Sequence, residues 1–494
     1  MSATDERYCE PGVRHTGMAI FTNGTDLFGE PCNGECKSDG YGAFLERKHV
    51  TAPACGFDAA AISAHTFDFQ ESITKWALRL GRAAIFASCG LGKTLMQLEW
   101  ARHVTLKAKG PVLIFAPLAV SQQTHREGEK FGIAVNVCKD SDDVCDGINI
   151  TNYERLDRFD LSRFAGIVLD ESSILKSVDG ATRTALIEQS QGIRYRLACT
   201  ATPAPNDYME LGNHSAFLGL MTQQEMLSMF FVHDGGETQK WRLKGHAEDA
   251  FWRWVCSWGV MIESPSDIGF DGSTFELPPL RMHEHIVASK ETPEGMLFPM
   301  EARTLNEQRG ARRSSMAERV AVAAKLVNKS KEPWLLYCDL NAEGDALAAA
   351  IPDAVQVAGA DSADFKTKTM LDFAEGRLRV LVSKPSICGL GMNLQVCSHV
   401  AFVGVSHSFE AFYQAIRRCW RFGQTQPVNC HIISSSTEGA VVANLKRKEA
   451  DAQKMRSAMV AHMALHGLLY ENRHGKEYKP IHKMEVPQWI QTTA

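Results

Sequence analysis

The stretch Ala87-Ser88-Cys89-Gly90-Leu91-Gly92-Lys93-Thr94 has the residue types and spacing of a loop that cradles phosphate. Gly90 and Gly92 let backbone N–H groups approach an anion, and a helix beginning directly afterwards favours negative charge at its N-terminus. Lys93 is placed to reach a β- or γ-phosphate and Thr94 to hold Mg²⁺. A second signal is Ile167-Val168-Leu169-Asp170-Glu171, an apolar run that ends in two carboxylates. Asp170 suits a metal held through water, and Glu171 suits orienting or deprotonating an attacking water. A third is Cys199-Thr200-Ala201-Thr202-Pro203, whose hydroxyls can bond the carboxylates or a terminal phosphate and report its loss. The chemistry these groups sketch is phosphoryl transfer to water.

Such groups need a scaffold that brings them to one edge. Apolar runs at Ala84 to Ala87, Val112 to Ala116, Ile167 to Leu169 and Tyr195 to Cys199 alternate with helix-like stretches, and each ends in a polar turn. That alternation predicts a parallel sheet, with ligands just beyond the carboxyl ends of its strands. A second alternation, with runs at Trp334 to Cys338, Val380 to Val382, Val400 to Val403 and His431 to Ile433, repeats the architecture without repeating the sequence. Between them Phe251, Trp254, Val255 and Trp258 fall at helical spacing and predict an aromatic core stripe. Glu276 to Pro279 reads as the crossing between the two halves. The segment from Gly439 to about Leu468 reads as one or two helices bracing a lobe, with Val442, Leu445, Met455 and Met459 as apolar positions.

The order of motifs resembles superfamily 2 helicases, and within them the Snf-type branch. Phe69-Gln70 and Trp76 are similar to the segment that reads adenine, with Gln70 as the hydrogen-bonding side chain. Leu113 to Phe131 looks like motif Ia, Asp170-Glu171-Ser172-Ser173 fills the motif II position, and Thr200-Ala201-Thr202 with Pro203, Asn206, Glu210 and Leu211 is similar to motif III. Residues 383–394 resemble motif V. Gln414 to Gln424 resembles motif VI, including the family's Arg-x-x-Arg-x-Gly-Gln core at Arg418 and Arg421. Three departures stand out: Ala87 takes the place of the first glycine, Ser172-Ser173 is not the usual continuation of motif II, and Ala201 replaces the glycine of the Snf-type motif III. The compact form, with LPPL at 277–280 and RCWRFGQTQPV at 418–428, looks like helicases carried by phages and prophages.

The resemblance implies two tandem RecA-like P-loop lobes, each a mainly parallel sheet flanked by helices, with the nucleotide cleft between them. The expected divisions are an irregular segment 1–64, lobe 1 at 65–278, lobe 2 at 279–450, and a C-terminal helix and tail at 451–494. It implies ATP and Mg²⁺ as ligands, contacted by Gln70, Ser88, Cys89, Gly90, Leu91, Gly92, Lys93, Thr94, Gly391, Arg418 and Arg421, with the metal at Thr94 and Asp170. Lys93, Asp170, Glu171, Arg418 and Arg421 are the expected catalytic residues. Thr200, Ala201, Thr202 and Gln414 would couple the nucleotide to movement. Arg418 and Arg421, spaced i, i+3, are expected to share a helical face and act as arginine fingers from the second lobe. Gln122, Asn152, Arg155, Lys384 and Asn393 are the candidate nucleic-acid contacts. DNA is the expected partner, ahead of RNA, with phage replication or modification proteins as further candidates and a monomer as the favoured state. An ATP-gated clamp or scaffold without unwinding activity is the alternative.

Composition sets outer bounds. A chain of 494 residues exceeds one growing hydrophobic core, so two or three domains are expected. The net charge of -5 does not advertise a nucleic-acid binder, and any groove must be a local basic surface. No apolar stretch approaches a membrane span and the start of the chain lacks an apolar signal core, which predicts a cytoplasmic protein. The fourteen cysteines are expected to be reduced, many of them buried. Cys32, Cys36, His49 and Cys55 have a spacing that matches no familiar zinc site. Arg303, Arg309, Arg312, Arg313 and Arg319 form a basic run, read as a solvated helix face or a flank of the nucleic-acid track.

Overall fold

The computed structural model describes residues 52–59, 61–176, 180–233, 241–288, 310, 312–388 and 393–466. Strands β1 (Arg82–Ala87), β2 (Val112–Ala116), β3 (Val135–Val137), β4 (Ile148–Asn152), β5 (Gly166–Asp170) and β6 (Tyr195–Cys199) come first. They are followed by a small antiparallel pair, β7 (Phe231–His233) with β8 (Trp241–Leu243), and then by β9 (Gly259–Ile262). Apart from that pair, these strands form a seven-stranded sheet in the order β3-β4-β2-β5-β6-β1-β9, with every pairing parallel. β2, β4, β5 and β6 are buried along their whole length. Largely apolar strands without alternation need cover on both faces, which the intervening helices supply.

The second sheet is built from β10 (Leu280–Val287), β11 (Trp334–Cys338), β12 (Ala354–Val357), β13 (Val380–Ser383), β14 (His399–Val403) and β15 (Val428–Ser435). Its order is β10-β15-β14-β11-β13-β12, again parallel throughout. The molecule therefore has the two-lobe RecA-like α/β architecture expected from the sequence. Residues 52–59 and 61–64 carry no helix or strand apart from a turn at 64.

The aromatic stripe lies on helix Glu248–Cys256 and just beyond it: Phe251, Trp254, Val255 and Trp258 are buried in the first lobe's core, as the spacing predicts. The chain's last described element corrects an expectation. Gly439–His466 is a single 28-residue helix, and it does not brace one lobe alone. Val441 and Leu445 belong to the core of the second lobe, whereas Met455, Met459 and Met463 are buried in the core of the first. Ion pairs Arg456–Glu263 and Lys454–Glu248 flank that second attachment.

The basic run is also corrected where it is described. Arg312 and Arg319 lie inside the second lobe, Arg312 bound to Asp339 and Glu438 and Arg319 to Glu343 and Glu438. A guanidinium withdrawn from water needs such partners, so these two belong neither to a solvated face nor to a nucleic-acid track. Arg313 is exposed, and Arg303 and Arg309 lie outside the described residues. Among the described residues no helix is long and apolar enough to cross a membrane. No group of three or more His, Cys, Asp and Glu side chains among them is placed to share a metal ion. Cys55 donates weakly to the carbonyls of Leu80 and Arg194, and Cys32, Cys36 and His49 fall outside the described residues.

Candidate functional site

Because the first sheet is parallel, β1, β5 and β6 all present their carboxyl ends at one edge, and β6 lies between the other two. The register sets Ile85 opposite Cys199 and Cys199 opposite Asp170. The phosphate loop, the Thr200–Thr202 segment and the two carboxylates therefore line up as neighbours.

Gly90 (φ 92°) and Gly92 (φ 75°) adopt left-handed backbone, which glycine tolerates and other residues resist. A Cβ on Gly92 would come 2.3 Å from Gln70 Nε2. Helix Lys93–Ala108 starts directly after Gly92, with no side-chain cap and no acidic residue in its first turn. Its first N–H groups are thus left for an anion. Thr94 sits half-buried in that turn. Lys93 Nζ donates to the carbonyls of Ala87 at 2.8 Å and Ser88 at 3.4 Å, so the ammonium rests on its own loop. Gln70 is buried and engaged at both ends of its amide: Nε2 donates to Leu91 O at 2.9 Å, and Oε1 accepts from Phe67 N at 3.0 Å.

Asp170 is buried at the end of β5. Burial, with the Glu171 charge beside it, pushes its carboxyl up to about 7 against the pull of Lys93. Two neighbouring carboxylates short of positive charge, with a threonine hydroxyl at the start of the adjacent helix, form a donor set that suits a hard divalent cation. Glu171 has φ 54°, a left-handed conformation that costs a non-glycine residue of order 1–3 kcal/mol and gathers at functional sites. Thr200 Oγ1 lies 3.4 Å from Glu171 Oε2 and accepts from Thr202 N at 3.1 Å; Ala201 between them is half-buried.

The second lobe meets this edge with helix Phe409–Ile416 and the turns that follow. Tyr413 OH is 3.1 Å from Ser88 Oγ, and a Cβ on Gly90 would come 3.1 Å from Phe422 Cβ. Half-buried Cys89 of the phosphate loop lies near Arg417 and Arg421. Burial lowers the Arg421 guanidinium from its usual value. The expectation that Arg418 and Arg421 share a helical face is corrected: the helix ends at Ile416. Gln424 Nε2 gathers the carbonyls of Gln395, Cys397 and Cys419, and left-handed Gly423 turns the chain back. Motif V is tied to motif VI through Leu394 N, which donates to Arg418 O at 3.0 Å. Gln414 Nε2 lies 3.5 Å from Glu410 Oε1.

Gln122 and Asn393 are exposed, and Arg155 and Lys384 half-buried. Asn152 is 5% exposed, so the outward-facing member of its pair is Arg155. Gly391 lies outside the described residues.

Sequence reasoning passed over several groups at this site. Arg417 is stacked over Trp420, 4.2 Å from its ring centre, and over Tyr413 at 5.1 Å. Phe275 joins Phe67, Phe69 and Phe422 in an aromatic cluster beside Gln70, with centroids 5.0–5.2 Å apart. Tyr153 OH donates to Asp170 O at 2.7 Å, and Ser172 Oγ meets His214 Nε2 at 3.1 Å. Tyr413 and Arg417, four residues apart at the end of the motif VI helix, were open to a helical-face reading; Phe275 and His214 carry no local signal.

A phosphate loop facing an arginine-bearing second lobe defines the class: a two-lobe P-loop nucleoside triphosphatase. Residues 319–423, within the second lobe, match the family described as the helicase conserved C-terminal domain. No curated protein matches the sequence. Among solved structures, the Sulfolobus solfataricus SWI2/SNF2 ATPase core in complex with dsDNA is similar at 17% identity and a TM-score of 0.40, over 83% of this chain and 97% of that chain.

Proposed function

We propose that the protein is a Snf-type translocase that moves along DNA, driven by ATP hydrolysed between its lobes. The observation that carries this reading is the apposition of Ser88 and Gly90 in the phosphate loop with Tyr413 and Phe422 of the motif VI segment. A triphosphate bound there lies against both lobes, so its presence and its loss are felt by their relative position.

In this reading Lys93 leaves the carbonyls of Ala87 and Ser88 for the β- and γ-phosphates, and the uncapped first turn of Lys93–Ala108 supplies N–H donors. Thr94 and Asp170 would hold Mg²⁺, which neutralises charge on the phosphates. Glu171 takes the proton of the attacking water, held in place by the Thr200 hydroxyl. Arg421, with Arg418 behind it, offsets charge on the transferring group. The base stacks in the Phe67, Phe69, Phe275 and Phe422 cluster, with Gln70 beside it. Gln122, Arg155, Lys384 and Asn393 grip the DNA backbone, so binding weakens steeply with salt.

The test is ATP turnover measured against single-stranded, duplex and forked DNA and against RNA, followed by displacement of a triplex-forming strand from duplex DNA. Turnover stimulated by DNA, with strand displacement, is expected. Stimulation without displacement assigns the chain to a nucleotide-gated clamp, and indifference to every nucleic acid rejects the reading.

A further inference from the structure

Beyond the residues that touch a nucleotide, one carboxylate reaches from the second lobe to the turn that follows the catalytic pair. Glu410 stands in the first turn of helix Phe409–Ile416, whose N-cap Ser408 accepts from Ala411 N at 3.2 Å. Its Oε1 accepts from Ser173 Oγ and its Oε2 from Lys176 Nζ. Both partners lie in the short 3-10 helix Ser172–Lys176, which begins one residue after Glu171. The Glu410 side chain is 12% exposed and that of Lys176 40%, so the carboxylate end of the pair is the one sheltered from solvent screening.

The turn Glu410 grips is fixed to the first lobe from behind. His214 Nε2 meets Ser172 Oγ at 3.1 Å, and Asn213 Nδ2 donates to Leu175 O at 2.7 Å. Both side chains are fully buried, and they are consecutive residues of helix Leu211–Leu218. Burial pushes the His214 imidazole down to about 4, which keeps the ring neutral. Ser173 and Lys176 therefore stand on an anchored turn directly after Glu171, whose backbone is held at φ 54°. At the other end, three residues beyond Glu410, Tyr413 touches Ser88, and the same segment continues into Arg417, Arg418 and Arg421. A second tie runs parallel to the first: Lys448 Nζ of the C-terminal helix donates to Asn206 Oδ1 at 2.7 Å, and Asn206 Nδ2 donates to Glu210 Oε1 at 2.7 Å.

We propose that Glu410, bound to Ser173 and Lys176, is a positioning residue that latches the turn after Glu171 to the arginine-bearing segment, so that the water-activating carboxylate and the arginines come into place together. The latch rests on the reading of the cleft as an ATP site, but its parts are not among the residues assigned to phosphate or metal in that reading. It acts on the approach of the lobes and spares the affinity for nucleotide.

The experiment uses the full chain with Glu410→Ala, Glu410→Gln, Lys176→Ala and the exchanged pair Lys176→Glu/Glu410→Lys. With saturating DNA, Glu410→Ala and Lys176→Ala are expected to lower kcat about tenfold, while KM for ATP moves less than about twofold. Glu410→Gln, which keeps the shape and the Ser173 bond, is expected to fall between wild type and Glu410→Ala, and it carries the test should the alanine variant fold poorly. The exchanged pair is expected to recover most of the loss, which a merely structural defect would not do. In a second readout, the distance distribution between labels on exposed Glu188 and Lys368 is expected to widen in Glu410→Ala without nucleotide. Unchanged kcat with an unchanged distribution, or single losses that multiply in the exchanged pair, overturns the latch. A wild-type chain that no nucleic acid stimulates, yet whose lobes separate on Glu410→Ala, keeps the latch and rejects the translocase.

Discussion

The hydroxyl of Tyr413, on the second lobe, lies 3.1 Å from Ser88 Oγ at the root of the phosphate loop of the first. With Lys93 turned onto Ala87 O and Ser88 O, the structure shows a phosphate loop whose lysine ammonium and serine hydroxyl are already engaged by the protein itself. Nucleotide must displace these bonds on entry, so each is a cost of binding as well as a contact.

Tyr413→Phe removes the bond to Ser88 and leaves the ring. ATP affinity is expected to rise about two- to tenfold, the worth of one neutral hydrogen bond, as read by titration with a fluorescent ATP analogue. Unchanged or weaker affinity would show that the hydroxyl serves the bound state instead.

Lys93→Ala and Arg421→Ala are expected to separate binding from turnover. The first should abolish both. The second should lower kcat by about a thousandfold or more while leaving affinity for the nucleotide nearly intact, because Arg421 is carried by the other lobe. Equilibrium binding alongside single-turnover hydrolysis decides it, and equal loss of affinity in the two variants contradicts the assignment.

Glu171 offers a test of strain. Glu171→Gly relieves the left-handed backbone and should leave the unfolding midpoint unchanged or raise stability by up to about 1 kcal/mol, while hydrolysis is lost with the carboxylate. A clear drop in the midpoint would mean that the Thr200 contact outweighs the backbone cost.

How much of this was open to a reader of the sequence differs by residue type. The buried strands announced themselves because a parallel sheet covered on both faces needs uninterrupted apolar runs, and β1, β2, β5, β6, β11, β13, β14 and β15 all follow such runs. β4, with Asn149, Thr151 and Asn152 inside it, and β10, which ends the linker with Arg281, His283, Glu284 and His285, did not. Several of their polar side chains meet particular neighbours, as when Thr151 Oγ1 donates to Cys138 O at 3.0 Å and His283 meets Asn429 at 3.1 Å, and such partners are invisible to local pattern. At the site, Lys93, Asp170 and Thr200 were legible because their spacing is dictated by the phosphate and the parallel sheet. Glu410 and His214 were not, since their partners lie 237 and 42 residues away.

Acid should loosen the protein through its histidines. His283, His285, His399 and His431 stack with Trp334 on the second sheet. Burial, reinforced by the neighbouring imidazoles, pushes His431 down to about 4 from an ordinary 6.5, and burial alone pushes His214 to about 4. The folded state holds these rings neutral while the unfolded chain protonates them, so their contribution is intact above pH 6.5 and lost as the pH falls from there toward 4. The unfolding midpoint is expected to drop between about pH 7 and about pH 5, and His431→Gln should flatten that slope. A slope identical to wild type would place the acid sensitivity elsewhere.

The helix Gly439–His466 changes what the lobes can do relative to each other. They are joined once by the chain passing through Glu276 to Pro279, and again where Met455, Met459 and Met463 are seated in the first lobe on a rod rooted in the second by Val441 and Leu445. A jaw pinned at two points cannot simply gape; it twists about the line between the pins, or it must first pull the methionines out. Any movement between the lobes is thereby restricted, and the last helix is the strap that sets the limit.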